Sequence, residues 1–256
     1  YTSILSMNKP QVLNEPFALR FGPMNNIATT LASINQRIGL ACLDAGRPIS
    51  DVNLLAVSKT QTIEAVQQAV EAGQKDFGEN YLQDAEPKIS HMPNAVWHFI
   101  GAIQSNKTRA IAEKFSWVHS ISSEKIARRL SEQRPSDLAP LQIMFQINVS
   151  GESSKSGLRA AELASVIDKV MGLPGLRLRG LMTVPTATTD TQLLRHQFAQ
   201  LRQLRNELTD QYSLLEFDQL SMGMTADFQL AIAEGSTWVR VGTAIFGTRN
   251  KTATLE

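Results

Sequence analysis

Little in this sequence points to a covalent or metallic staple. Cys42 is the single cysteine in 256 residues, which excludes an internal disulfide and fits a reducing compartment. Neither sign of charge dominates: 25 basic residues face 24 acidic ones, for a net charge of +1. No basic block stands out, which speaks against nucleic acid as a partner. There is no run of about 18 or more apolar residues, so no transmembrane helix is expected. The four histidines, His91, His98, His119 and His196, show neither H-x-x-x-H nor H-E-x-x-H spacing, so no metal site is expected. The sequence lacks a G-x-S-x-G elbow, a Walker A pattern and, after its first strand, a G-x-G-x-x-G turn. Tandem repeats and low-complexity tracts are absent too.

What is present is alternation. Residues 1–23 carry Pro10, Pro16 and Pro23 and follow no sustained period; they read as a leader, an extended start or a leftover of cloning, poorly ordered, with Met24 as an alternative start. Residues 24–256 read as one domain. Asn26 to Ala45 is amphipathic, with Ile27, Leu31, Ile34, Ile38 and Leu43 near one face. From there strands and helices alternate. The strands are expected at 53–58, 76–78, 96–100, 117–121, 141–149, 176–184, 217–222 and 238–241. All but the last are followed by a helix, and the longest helix is 191–211. Regular alternation calls for a parallel sheet. Eight units in about 200 residues suit an α/β fold of one kind, a (β/α)8 TIM barrel, here with an extra N-terminal helix. An open doubly wound sheet is the alternative.

In such a barrel the residues after each strand face a common mouth. That places Lys59, Glu79, Asn80, Tyr81, His98, Gly101, His119, Asn148, Met182, Ser221, Met222, Gly223, Arg240, Gly242 and Thr243 there. The run Leu54–Val57 reads as a buried strand that leads into Lys59. Taken alone, the lysine reads as a surface residue; buried at a strand end, it would lose its charge readily and attack carbonyls. Ser221–Thr225 and Val241–Thr243 read as small-residue turns after strands seven and eight, where barrels commonly bind phosphate. Hydroxyls of Ser221, Thr225 or Thr243 are available as donors, although the glycines also suit plain tight turns. Arg240, between Val239 and Val241, points inward by alternation and needs an acceptor, either Glu79 or a ligand. His98 and His119 suit a hydrogen-bonded structural role. Gly151–Gly157 matches a phosphate loop only loosely and reads as a mouth loop. A lysine, a phosphate cup and an arginine in one mouth suit an aldehyde with a phosphate tail, which suggests pyridoxal 5′-phosphate (PLP) as an internal aldimine on Lys59. Arg240 opposite the ring nitrogen would favour an unprotonated pyridine.

At these residues the sequence resembles the pyridoxal phosphate homeostasis proteins, single-domain relatives of the alanine racemase barrel. The matching stretches are Ala56–Thr60, Phe77–Tyr81, His98–Gly101, Gln104–Lys107, Gly180–Met182, Ser221–Met224 and Val239–Gly247. The resemblance implies that Lys59 carries PLP, that Ser221, Gly242 and Thr243 hold its phosphate, that Arg240 meets the pyridine nitrogen, and that Asn80 and Met222 line the cofactor. Thr225 stands where relatives often have serine, and the hydroxyl is kept. The resemblance also implies a non-catalytic role in the cytoplasm, buffering PLP or delivering it to PLP-dependent apo-enzymes, with no catalytic residue. The expected state is a monomer. Alanine racemases add a β-rich domain and a tyrosine base from a partner subunit. Here the chain ends soon after strand eight, and the tyrosines are Tyr1, Tyr81 and Tyr212, so racemisation is expected to be slow. Two alternatives remain: a PLP-dependent racemase or lyase with Lys155 as a base, and an isomerase of phosphorylated metabolites with Lys59 bonded to a sugar.

Overall fold

Eight short strands pair in parallel, each with its sequence neighbours, and β8 returns to β1 to close a barrel. This computed structural model describes residues 26–152 and 155–247; the expected leader lies outside them. The strands are β1 Asn53–Val57, β2 Asp76–Glu79, β3 Val96–Phe99, β4 Trp117–Ile121, β5 Leu141–Gln146, β6 Leu176–Met182, β7 Gln219–Met224 and β8 Trp238–Val241. The helices are α1 Ile27–Asp44, α2 Ile63–Glu71, α3 Leu82–His91, α4 Thr108–Lys114, α5 Glu124–Gln133, α6 Ala160–Val170, α7 Thr191–Tyr212, α8 Phe228–Ala233 and α9 Thr243–Phe246. The expected (β/α)8 barrel with an extra N-terminal helix is found. One expectation is corrected: β8 too is followed by a helix, the one-turn α9.

Strand alternation divides the core in two. Leu54, Ala56, Phe77, Phe99, Val118, Leu181, Leu220, Val239 and Val241 pack outward against the helices. Leu55, Met144, Met182 and Trp238 form a second cluster with Ile100 and Trp117. Two-sided burial explains why these strands read as continuous apolar runs. The helices dock by one stripe each: α7 buries Leu194, Phe198, Leu201 and Leu208, each contributing about 1.5–3 kcal/mol. Asp190 caps α7 by accepting from Gln192 and Leu193 N–H, and Ser123 caps α5.

Helix α1 covers the seam where β8 meets β1. Its Thr30 hydroxyl donates to Ile245 O at 2.8 Å, and Arg37 lies over the Phe228 ring. The buried face of α1 is Ile27, Leu31, Ile34, Ile38, Ala41 and Cys42. Leu43, expected on it, is exposed, because five residues beyond Ile38 the helix has turned well away from that stripe. Strand ends differ as well, by one residue at β1, β2 and β3 and by two at β6, which stops at Met182. β5 stops at Gln146, three residues before the expected end. β7 begins and ends two residues late, because Phe217 closes a turn onto Leu214 O and Ser221–Met224 remain in the sheet. The small-residue turn therefore starts at Thr225.

Candidate functional site

The site begins where β1 stops. Val57 ends the strand, and Gln61 N–H donates to Ser58 O at 3.0 Å, which folds residues 58–61 into a tight turn. Thr60 takes the left-handed conformation, with φ 63°. That conformation is rare for a β-branched residue and costs about 1–3 kcal/mol, so the surroundings must hold it. Below the turn, Lys88 of α3 is buried and donates to Ser58 O and to Glu79 Oε1, both at 2.7 Å. The Ser58 hydroxyl also donates to Glu79 Oε1, at 2.6 Å. Burial pushes the Glu79 carboxyl above its ordinary range, against the pull of Lys88. Glu79 is thus the partner of Lys88 and not, as the sequence left open, of Arg240. Lys59 itself is exposed. The burial expected for it is not found, because the strand ends two residues earlier and the lysine rides on the turn.

Lys59, Asn80, Arg240, Gly242 and Thr243 line one cavity of about 560 Å³ at the C-terminal mouth of the barrel, together with Gln61, Ile100, Met182, Met224 and Thr225. That volume suits a small cofactor. Asn80 Oδ1 is buried and has no hydrogen-bond partner among the described residues, an acceptor left for a ligand. Its backbone is held by a close crossing: a Cβ on Gly101 would stand 2.1 Å from Asn80 O, so only glycine fits. Opposite, Gly223 (φ 91°) packs so closely on α8 that a Cβ would stand 2.6 Å from Ala231 Cβ. Asp227 Oδ1 accepts from Met224 N–H and fixes the turn that carries Thr225.

Two residues expected at the cofactor lie elsewhere. The Met222 side chain packs outward in the helix-facing core beside Leu220, as strand alternation requires. Ser221 is fully buried beneath the cavity. Its hydroxyl accepts from Arg240 Nη1 at 2.8 Å and meets His119 Nδ1 at 2.9 Å. Arg240 points inward between the outward valines, as alternation predicts, and also donates to Thr183 O at 2.7 Å. Burial lowers its pKa to about 10, with Asp227 opposing the shift, so it remains a cation at neutral pH.

His98 and His119, placed by sequence at the mouth, are wholly inside the barrel. His98 stacks on Trp117, with ring centroids 5.5 Å apart, and faces down to Asp76 at 3.0 Å. Burial holds both imidazoles below their ordinary range, and His119 is pushed further by His98 and Arg240. Sequence reasoning did not single out Gln61, Lys88 or Thr183. Gln61 follows from the turn, but nothing in the local pattern marks a buried lysine in the middle of α3. Asn148 does not line the cavity; its side chain organises the loop after β5 by donating to Glu152 O. Lys155 lies against Glu152 at 3.1 Å, and Tyr212 donates to Ala164 O on the outer layer. Tyr81 is exposed and lines a neighbouring hollow with Gln104 and Lys107.

Residues 42–250 match the family model described as alanine racemase, N-terminal domain, and the chain is 51% identical over 229 residues to the pyridoxal phosphate homeostasis protein of Pseudomonas aeruginosa. The chain belongs to this family. The Pseudomonas relative matches over 89% of this chain and 97% of its own length. The homeostasis protein of Escherichia coli K12 is 46% identical over 235 residues, covering 89% of this chain and 98% of that protein. Among solved structures, PipY of Synechococcus elongatus with PLP bound superposes with a TM-score of 0.76 at 35% identity, over 86% of this chain and all of PipY. The alanine racemase of Clostridium difficile superposes with a TM-score of 0.71 at 13% identity, over 90% of this chain and 58% of the racemase; that likeness is one of fold. The family membership agrees with the barrel and its extra N-terminal helix. Among the described residues no helix is long and apolar enough to cross a membrane.

Proposed function

We propose that this chain binds PLP in the mouth cavity through a covalent link to Lys59 and keeps or delivers it without turning over a substrate. The observation that carries the reading is the set of groups around one 560 Å³ space: the Lys59 amine, the Arg240 guanidinium, the hydroxyls of Thr225 and Thr243, and the unpartnered Asn80 oxygen. These fit a phosphorylated pyridine aldehyde group for group. When bound, PLP supplies an aldehyde that condenses with an amine and a ring that draws electrons. In this reading Lys59 holds the aldehyde carbon, Thr225, Gly242 and Thr243 hold the phosphate, and Arg240 donates to the ring nitrogen and so disfavours its protonation. Asn80 packs beside the ring. The hydroxyl expected of Ser221 falls instead to Thr225, and Met222 supports the wall from behind. The PLP-bound PipY structure and the names of the curated relatives support the cofactor.

Among the described residues that line the cavity there is no carboxylate, imidazole, phenol or thiol. That lining supports a carrier over a racemase, because moving a proton on both faces of a substrate needs a second group beside the lysine. Lys155, the base considered for such an enzyme, is not in that lining. We further propose that the carrier acts in the cytoplasm as a monomer and passes PLP to apo-enzymes that need it. Mixing the purified chain with PLP and recording its visible spectrum tests the reading. A shifted band that forms with wild type and not with Lys59→Ala supports it. Steady turnover of an amino acid by the holo protein, lost in Lys59→Ala, would favour the enzyme.

A further inference from the structure

Beneath Arg240, four side chains run in file along the inside of the barrel. Asp76 Oδ1 meets His98 Nε2 at 3.0 Å, and His98 Nδ1 meets His119 Nε2 at 3.0 Å. His119 Nδ1 meets Ser221 Oγ at 2.9 Å, and Arg240 Nη1 donates to that same oxygen at 2.8 Å. The file spans strands β2, β3, β4, β7 and β8 and joins the barrel floor to the mouth cavity. With one proton on each ring, the Asp76 end fixes its direction. A carboxylate only accepts and a guanidinium only donates. His98 must then give its Nε2–H to Asp76 and accept at Nδ1. His119 must give its Nε2–H to His98 and accept at Nδ1. Ser221 must give its hydroxyl proton to His119 and accept from Arg240. Every bond is made with one proton on each middle group. Adding a proton to either ring leaves at least one buried donor with no acceptor, a cost of about 1–3 kcal/mol. Trp117 and Trp238 pack on the rings and resist their turning over.

We propose that Asp76, His98, His119 and Ser221 form a one-way hydrogen-bond relay of positioning residues that holds the Arg240 guanidinium in place, so that its remaining N–H donors serve the ring nitrogen of bound PLP. This deepens the reading of the cavity given above and rests on it. Arg240 is buried beside neutral oxygens, those of Ser221 and Thr183, and among the described residues no carboxylate is in hydrogen-bond contact with it. The relay carries the polarisation of Asp76 across the barrel to the Ser221 oxygen, because hydrogen bonds in series strengthen one another. It also stops the serine hydroxyl from turning its proton toward Arg240.

The test has a cofactor-free arm and a cofactor arm. Nitrogen-15 NMR of histidine side chains in the full apo chain at pH 7 should show both His98 and His119 neutral, protonated at Nε2 and bare at Nδ1. The Arg240 side-chain N–H signals should be protected from exchange. A proton at Nδ1 of either ring, or a charged imidazole, overturns the relay whether or not PLP binds. In the second arm, His119→Leu breaks the file and His119→Gln keeps one acceptor and one donor in it. The leucine variant should bind PLP roughly tenfold more weakly, with a displaced visible band and unprotected Arg240 signals, and the glutamine variant should recover most of each. Equal PLP affinity and spectrum in wild type and in a folded His119→Leu protein overturn the link to Arg240. If wild type takes up no PLP, the cavity reading falls, and the relay is judged by the ring protons and by whether Arg240 protection is lost in His119→Leu.

Discussion

Arg240 and Lys88 are two buried cations with different kinds of partner. Lys88 is matched by Glu79 in a pair sealed from water. Lys88→Met strands that carboxylate, and the expected cost is about 3 kcal/mol, read as a lower urea midpoint; adding Glu79→Gln should return part of it. Its effect should also reach the site, because the pair grips Ser58 O directly behind Lys59. Among the described residues Arg240 hydrogen-bonds only to neutral oxygens, and it lines the cavity. Arg240→Gln should therefore weaken PLP binding roughly 10- to 100-fold while leaving the fold intact by circular dichroism. Lys59 and Arg240 were legible in the sequence, because a strand-end lysine and an arginine between two valines stand out against apolar strands. The Lys88–Glu79 pair was not, since it depends on how α3 settles against β1 and β2, a contact without a local signature.

At the scale of elements, the strands and most helices followed from period and punctuation, and the misses have local causes. β7 was placed two residues early because Phe217 reads as strand while forming a turn. A two-residue shift keeps the alternation, so Met222 faces outward with Leu220 in either placement; the longer strand keeps Ser221 in the sheet, beneath the cavity. The loop after β3 makes a sharper test. Gly101 lies where a Cβ would collide with Asn80 O, so Gly101→Ala must push the β3 and β2 loops apart. The expected result is a loss of stability of about 1–3 kcal/mol, as for other overpacked sites, together with weaker PLP uptake because Asn80 moves with its loop. Thermal melting and a PLP titration of that variant would check both.

For the whole molecule, the barrel interior sets a pH response. His98 and His119 are buried and held below their ordinary range, so the unfolded chain binds more protons than the folded one as pH falls below about 6.5. Their neutral burial is fully compatible with folding above that value and is penalised progressively below it. Glu79, held above its ordinary range, takes up protons more readily when folded, and its contribution opposes this trend only in the acid range above about 4.5. The melting temperature should therefore drop between pH 7 and pH 5.5, and His119→Gln should flatten that drop. The central claim concerns one covalent bond, and it can be measured directly. Holo protein is reduced with borohydride, digested and weighed by mass spectrometry. The account predicts the reduced pyridoxal phosphate mass on the peptide that contains Lys59; an unlabelled Lys59, or the label on another lysine alone, would contradict it.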